Sequence, residues 1–265
     1  MKTIYGPVSS WRIGECFNVD PICRSPKVCS LACTYCKFGS SGFVTIKRSD
    51  MIDPDEFSDE VSSLTVKQKR IPLRFSGSGE PTLARNLGDL IAKAKLAGAG
   101  SIVVVTNSSL LHQSDVREDL KGVDIVIAKL DSSEEKEFRE INRPHPDITY
   151  SKVLEGLRAM RASFKGSLRL QIMLMDSNRR NLEGLGDVCK DLAPDVIYIS
   201  TPTRSMSRPR DRRPRRNASP SPQRKTCPLE YAFQRISSLE KKPAVGGMPA
   251  IAIVEMTNVM YVYGR

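Results

Sequence analysis

Five short apolar runs recur along this chain with helix-like stretches between them, and that alternation limits the fold more than any other feature. The runs are LRFSG (73–77), SIVVVTN (101–107), DIVIAKLD (124–131), LRLQIMLM (168–175) and DVIYIST (195–201). Their nearly continuous apolar, β-branched character predicts strands buried on both faces. The segments at roughly 55–69, 86–97, 114–120, 133–141, 149–163 and 178–192 have helical character, with starts at Asp53-Pro54 and Ser114-Asp115 and stops at Gly98 and Gly166. Strands spaced by helices imply a parallel sheet covered by helices. A further short strand leading into Cys29 would make six βα units. Six are too few for a closed eight-fold barrel and fit either an open doubly wound sheet or a partial barrel. Both architectures set their chemistry in the loops at the carboxyl ends of the strands.

Those loops hold the unusual residues. The expected strands end in GSGEPT (77–82), TNSS (106–109), KLD (129–131), MLMD (173–176) and STPTR (200–204), and the first would end in KVCSLACTYCKFG (27–39). The last stretch places Cys29, Cys33 and Cys36 within eight residues. A structural zinc site takes four protein ligands, and a ferredoxin-type cluster takes four cysteines. Three thiolates on a four-iron cluster leave one iron open to a chelating small molecule with an amine and a carboxylate. The competing readings are a zinc site completed by a remote Cys16 or Cys23, or a second cluster that uses those two. Ordinary thiols at Cys16 and Cys23 are the plainer alternative, and Cys189, inside a helical pattern, reads as core.

Composition narrows the setting. Seven cysteines, an odd number in a chain of 265 residues, argue for metal or redox chemistry over a disulfide framework. The start, MKTIYGPVSSWRIG, lacks the apolar stretch of a signal peptide, and IVVV (102–105) is too short to span a bilayer, so the expectation is a soluble, cytoplasmic protein with no membrane partner. The net charge of +11 is concentrated: nine basic residues stand against Asp211 alone between Arg204 and Lys225, while the body is nearly neutral. That stretch, rich in Arg, Pro and Ser, reads as disordered. It is expected to act as an RNA-binding arm or a plain linker, or to be an out-of-frame tail. The division expected is a core at 1–204, the basic segment at 205–226 and an extension at 227–265, in which 248–263 has hairpin or strand character.

The C-x3-C-x2-C spacing, with Tyr35 before the last cysteine and Gly77, Ser78, Gly79, Glu80 and Pro81 in the loop after the next strand, resembles the radical S-adenosylmethionine (SAM) superfamily. YGPVSSWRIG, GSGEPTL, TNSSLL, AKLD, INRP and STPTR extend the likeness over residues 4 to about 204. They resemble a subgroup of uncharacterised Fe-S oxidoreductases related to the tRNA wyosine-synthesis enzymes and more distantly to the molybdenum cofactor biosynthesis protein A. The resemblance implies a partial (β/α)6 barrel, α/β in class, with a 4Fe-4S cluster on Cys29, Cys33 and Cys36. It further implies SAM bound at Tyr35, Gly77, Ser78, Gly79, Glu80 and Asn107, where Asn107 matches the position that reaches the SAM ribose. Glycine in the loop is expected because backbone must approach a ligand closely or take a positive φ.

Lys129 and Asp131 sit where a barrel rim would touch substrate, or they form a rim ion pair. Arg143 in INRP has the fork geometry to clamp a carboxylate or phosphate, or it makes a surface salt bridge. His145 is a further catalytic candidate, and Met173 and Met175 read as packing. The function expected is reductive cleavage of SAM and hydrogen abstraction from an unidentified small-molecule or nucleoside substrate, with a flavodoxin or ferredoxin as reducing partner. The alternatives are tRNA base modification of the wyosine type, or a non-catalytic Fe-S or zinc protein that binds nucleic acid.

Overall fold

The computed structural model describes residues 2–39, 42–202, 250–255 and 259–263. Its strands are β1 (Ile4–Ser10), β2 (Gly14–Val19), β3 (Val28–Cys29), β4 (Phe43–Val44), β5 (Leu73–Phe75), β6 (Ile102–Thr106), β7 (Ile125–Lys129), β8 (Ser167–Met173), β9 (Val196–Ser200), β10 (Ala250–Glu255) and β11 (Val259–Tyr263). The helices are α1 (Pro54–Ser62), α2 (Val66–Lys69), α3 (Leu87–Leu96), α4 (Ser114–Asp119), α5 (Glu135–Asn142), α6 (Tyr150–Ser163) and α7 (Leu182–Leu192). All five apolar runs are strands. The stretch expected as one helix at 55–69 is two, because Thr65 and Gln68 form a capping box that starts α2 anew.

Strands β2, β5, β6, β7, β8 and β9 pair in parallel in that order, which is the six-unit arrangement expected. The identity of the first strand differs from the expectation. It is β2, which ends ten residues before Cys29, whereas β3, the strand that leads into Cys29, pairs with β4 in a separate small sheet. The chain therefore leaves the barrel wall at Val19 and crosses to the rim before the first cysteine. At one edge β1 pairs antiparallel with β2; at the other β10 joins β9 in parallel and β11 closes a hairpin, in the region expected to form one. The basic segment and the boundary expected at 204 lie outside the described residues.

A contact across the sheet decides between an open sheet and a partial barrel. Laid flat, β2 and β9 would be five strand spacings apart, about 24 Å. Trp11, in the turn that enters β2, instead packs edge-to-face on Tyr198 of β9 with ring centroids 5.5 Å apart, and the Tyr198 hydroxyl donates to Arg12 O at 2.9 Å. The sheet is curled into a half-barrel whose floor is closed by the β1–β2 turn. Its outer face, with Phe75, Val104, Val126, Leu170 and Ile197, joins Phe57, Leu90, Leu157 and Leu185 of the helices in the main core. Its inner face carries a small apolar plug of Val103, Ile127 and Tyr198 against Trp11 and Ile13. No helix among the described residues is long and apolar enough to cross a membrane.

Candidate functional site

The cysteine loop lies on the carboxyl-end rim and is held there from three sides. Below it, the backbone of the 77–79 turn presses on its entry strand: a Cβ on Gly79 would lie 1.8 Å from Val28 O, and Glu80 N donates to that oxygen at 3.2 Å. Beside it, the end of α5 forms a backbone ledge, with Thr34 N donating to Ile141 O at 2.9 Å, Ala32 N to Arg143 O at 3.0 Å and His145 N to Ser30 O at 2.9 Å. On the third side, Ser30 Oγ is 2.6 Å from Ser109 Oγ, beyond β6. INRPH therefore serves the site through its main chain as well as through the Asn142 side chain. His145 turns its ring to Asp147, whose carboxylate is 3.6 Å away.

Each of the three thiols meets one side-chain nitrogen, and the three nitrogens come from different parts of the chain. Asn107 Nδ2 is 3.5 Å from Cys29 Sγ, Asn142 Nδ2 is 3.5 Å from Cys33 Sγ, and Lys27 Nζ is 3.4 Å from Cys36 Sγ. Burial, reinforced by Glu80 and by Cys33, pushes the Cys29 thiol up to about 12, and burial raises Cys33 as well. Thiols enclosed this way stay protonated until a metal displaces the proton. Among the described residues no three His, Cys, Asp or Glu side chains are gathered closely enough to ligate a single ion. The donor set suits a thiolate-held iron–sulfur cluster, whose sulfurs take N–H bonds that also tune its potential. Cys16 lies beside Arg74 and Arg12, and Cys23 beside Asp20 and Glu60, so neither joins the three.

The GSGEP turn is shaped by a residue that the sequence did not announce. Asp20, just past β2, accepts from Ser78 N at 2.9 Å and from Ile22 N and Cys23 N at 3.0 and 3.1 Å. A Cβ on Gly77 would lie 2.1 Å from the Asp20 carboxylate. Both glycines are thus required by neighbouring protein atoms, Asp20 and Val28, and neither has a positive φ. Ser78 Oγ is buried with no hydrogen-bond partner among the described residues, an open polar position in the turn. Glu80 is buried and its carboxylate accepts from Thr82 Oγ1 at 2.7 Å, Thr106 Oγ1 at 2.6 Å and Asn107 N at 2.7 Å, which ties the turn to the end of β6. Burial still holds its pKa above the usual carboxylate range. Asn107 is engaged as well: Nδ2 donates to Ser30 Oγ at 2.9 Å and Oδ1 accepts from Ser109 N at 3.0 Å.

Tyr35, Lys129 and Asp131 come together in one network. The Tyr35 hydroxyl donates to Asp131 and accepts from Lys129, whose ammonium also lies 4.0 Å from the Tyr35 ring centroid and 3.6 Å from the Asp131 carboxylate. Asp131 further accepts from Asn142 Nδ2 at 2.9 Å and Met173 N at 2.8 Å, and its side chain is fully enclosed. This is the rim ion pair, with the cysteine loop locked onto it. Arg143 stands apart; it ends α5 in the left-handed conformation, φ 44°, and its side chain makes no hydrogen bond or ion pair among the described residues. Lys27, Asp20 and Asn142 are the site residues that sequence reasoning missed. Lys27 opens the quoted KVCSLACTYCKFG and Asn142 lies inside the quoted INRP, whereas Asp20 stands in no quoted motif.

The model of the Radical SAM superfamily matches residues 25–187. A UPF0026 protein of Methanocaldococcus jannaschii is 36% identical over 213 residues, covering 78% of this chain and 65% of that protein. A UPF0026 protein of Synechocystis is 31% identical over 224 residues, covering 83% and 82%. The chain thus spans just under two thirds of the archaeal relative's length. Among solved structures, Streptococcus suis SuiB bound to S-adenosylmethionine has a TM-score of 0.60 at 13% identity, covering 90% of this chain and 49% of that one. TYW1 with a lysine–pyruvate adduct bound has a TM-score of 0.53 at 16% identity, covering 70% and 64%. At these identities the two structures bear on the fold alone.

Proposed function

Because the chain belongs to the radical SAM superfamily, we propose that Cys29, Cys33 and Cys36 hold a 4Fe-4S cluster and that the protein abstracts hydrogen from a small-molecule or nucleoside substrate bound in the half-barrel. When bound, the cluster and SAM supply a one-electron reductive cleavage that yields a hydrogen-abstracting 5′-deoxyadenosyl radical. The observation that carries the reading is the set of three rim thiols, each met by one N–H from a separate segment.

The chain's own residues bind, orient and exclude water. Asn107 and Asn142 fix two thiols with neutral donors and Lys27 fixes the third with a charge. The 77–79 turn, with the unpartnered Ser78 hydroxyl, is the segment we assign to the amino-acid end of SAM. Glu80 and Asn107 act as positioning residues, because their side chains already hold the turn and the cysteine loop. Tyr35 and Asp131 likewise lock the loop, leaving the partly accessible Lys129 ammonium as the group nearest to a substrate contact in that network. Arg143 is left for an acidic group. A flavodoxin or ferredoxin is the class of partner that would deliver the electron.

The test is anaerobic reconstitution with iron and sulfide, reduction by dithionite in the presence of SAM, and an assay for 5′-deoxyadenosine beside a Cys33→Ala control. Deoxyadenosine from the wild type and none from the variant is the expected result. A cluster that forms yet leaves SAM intact with every reductant tried would count against the proposal.

A further inference from the structure

Several arginines away from the half-barrel interior are paired with carboxylates: Arg48 with Asp115 and Asp119, Arg85 with Asp50, Arg158 with Asp191 and Arg161 with Asp195. Three arginines at the inner face of the half-barrel, Arg12, Arg74 and Arg169, have no carboxylate partner among the described residues; Arg169 gives Nε to Ser167 Oγ at 3.1 Å and Nη1 to the Tyr198 hydroxyl at 2.8 Å, and the other two keep more of their donors open. Arg74 lies on β5 between Asn18 of β2 and Val103 of β6. Its Nε donates to Asn18 Oδ1 at 2.7 Å, and neither terminal nitrogen has a partner among the described residues. Arg12 belongs to the turn that closes the floor. Its guanidinium carbon is 4.5 Å from the Trp11 ring centroid, and its Nε is buried with no hydrogen-bond partner among the described residues.

These two cations feel each other. Burial first, and then the positive charge of Arg74, hold Arg12 down to about 10. Enclosing a guanidinium without an anion is costly, and placing a second one nearby adds like-charge repulsion. The floor is nonetheless built to keep Arg12 in place, since its carbonyl accepts from the Tyr198 hydroxyl, which in turn accepts from Arg169 Nη1 at 2.8 Å. An arrangement that is unfavourable when empty and rigidly maintained is what a doubly charged ligand would complete, each guanidinium offering parallel N–H donors to an oxyanion.

We propose that Arg12 and Arg74 form an oxyanion recess on the floor of the half-barrel that takes the phosphate group of a small-molecule substrate. The proposal rests on the reading of the rim as the reacting end. Arg74 precedes Gly77 by three residues, roughly 10 Å of extended chain. The substrate therefore reaches from a phosphate at the floor to its reacting carbon near the rim, about the span of a phosphorylated nucleoside or sugar.

The experiment is a titration of the full chain, with its cluster reconstituted and no SAM present, with inorganic pyrophosphate at constant ionic strength. Binding is followed by calorimetry and by the emission of Trp11, the one tryptophan, which the Arg12 guanidinium overlies. Saturable binding is expected, weakened at least tenfold in Arg12→Met and in Arg74→Met and unchanged in the outside control Arg85→Met. A nucleoside 5′-monophosphate should displace pyrophosphate, and a ten-nucleotide RNA without terminal phosphates should not. Failure of the wild type to bind overturns the proposal whatever the variants do; so does equal binding by folded Arg12→Met and Arg74→Met, or displacement by the RNA alone. Deoxyadenosine formation without pyrophosphate binding removes the recess and leaves the proposed function standing. Binding without SAM cleavage does the reverse.

Discussion

Lys27 and Cys36 are nine residues apart in the chain and in contact in the fold: the Lys27 ammonium stands 3.4 Å from Cys36 Sγ and donates a second bond to Gly39 O at 3.0 Å. Lys27 is only 7% exposed, so its charge acts on the sulfur with little screening. The nitrogens that meet the other two thiols are neutral amides, so Cys36 is the one of the three met directly by an ammonium.

A cation beside a thiolate favours the more negative, reduced state of a cluster held there. Lys27→Met is expected to lower the ratio of reduced to oxidised cluster about tenfold at a fixed ambient potential, about 59 mV for one electron, and Lys27→Arg to restore most of it. Electron paramagnetic resonance of samples poised along a redox titration reads the ratio, with iron and sulfide content confirming equal loading. An unchanged midpoint in a fully loaded Lys27→Met protein would refute the assignment.

The 77–79 turn gives a contrasting pair of substitutions. Gly79→Ala places a methyl against Val28 O, backbone that cannot swing aside, and is expected to cost several kcal/mol or displace β3 and with it Cys29. Ser78→Gly removes a hydroxyl that has no partner among the described residues and is expected to leave stability within about 1 kcal/mol. Urea unfolding and cluster content after reconstitution should separate the two; equal behaviour would mean that the turn does not bear on the cysteine strand.

Asp131 should be the most sensitive polar residue of the rim. Asp131→Ala leaves the Lys129 ammonium, the Tyr35 hydroxyl and Met173 N without their acceptor, for an expected loss of about 3–5 kcal/mol. Tyr35→Phe removes one hydroxyl and is expected to cost about 1–2 kcal/mol while loosening the cysteine loop. Chemical denaturation gives the ranking, and Tyr35→Phe more damaging than Asp131→Ala would contradict the role of Asp131 as the hub.

Closure of the half-barrel can be tested at its floor. Trp11→Ala deletes the edge-to-face contact with Tyr198 and part of the inner plug, with an expected loss of about 2–3 kcal/mol. The loss should shrink to well under 1 kcal/mol in a Tyr198→Ala background, a double-mutant cycle that reports the pair directly. Additive effects would mean that the turn does not close the barrel.

The five apolar runs, the helices between them and the three cysteines were legible because each is a local pattern: periodicity, capping residues and ligand spacing are properties of neighbours in the chain. β2 was not legible. GECFNV opens on Gly and Glu, and its apolar positions declare themselves only when Phe17 and Val19 meet Leu73 and Phe75. The choice of a half-barrel over an open sheet rested on Trp11 and Tyr198, 187 residues apart, and no local pattern encodes that contact. The βα succession, the thiol trio and the glycine turn follow from residue order alone. Folding alone settles which nitrogen meets each sulfur, that Asp20 and Val28 are why the turn needs its glycines, and that Arg12 and Arg74 both face the interior. Those are long-range contacts, and charge, burial and steric fit acquire their values only when distant segments are brought together.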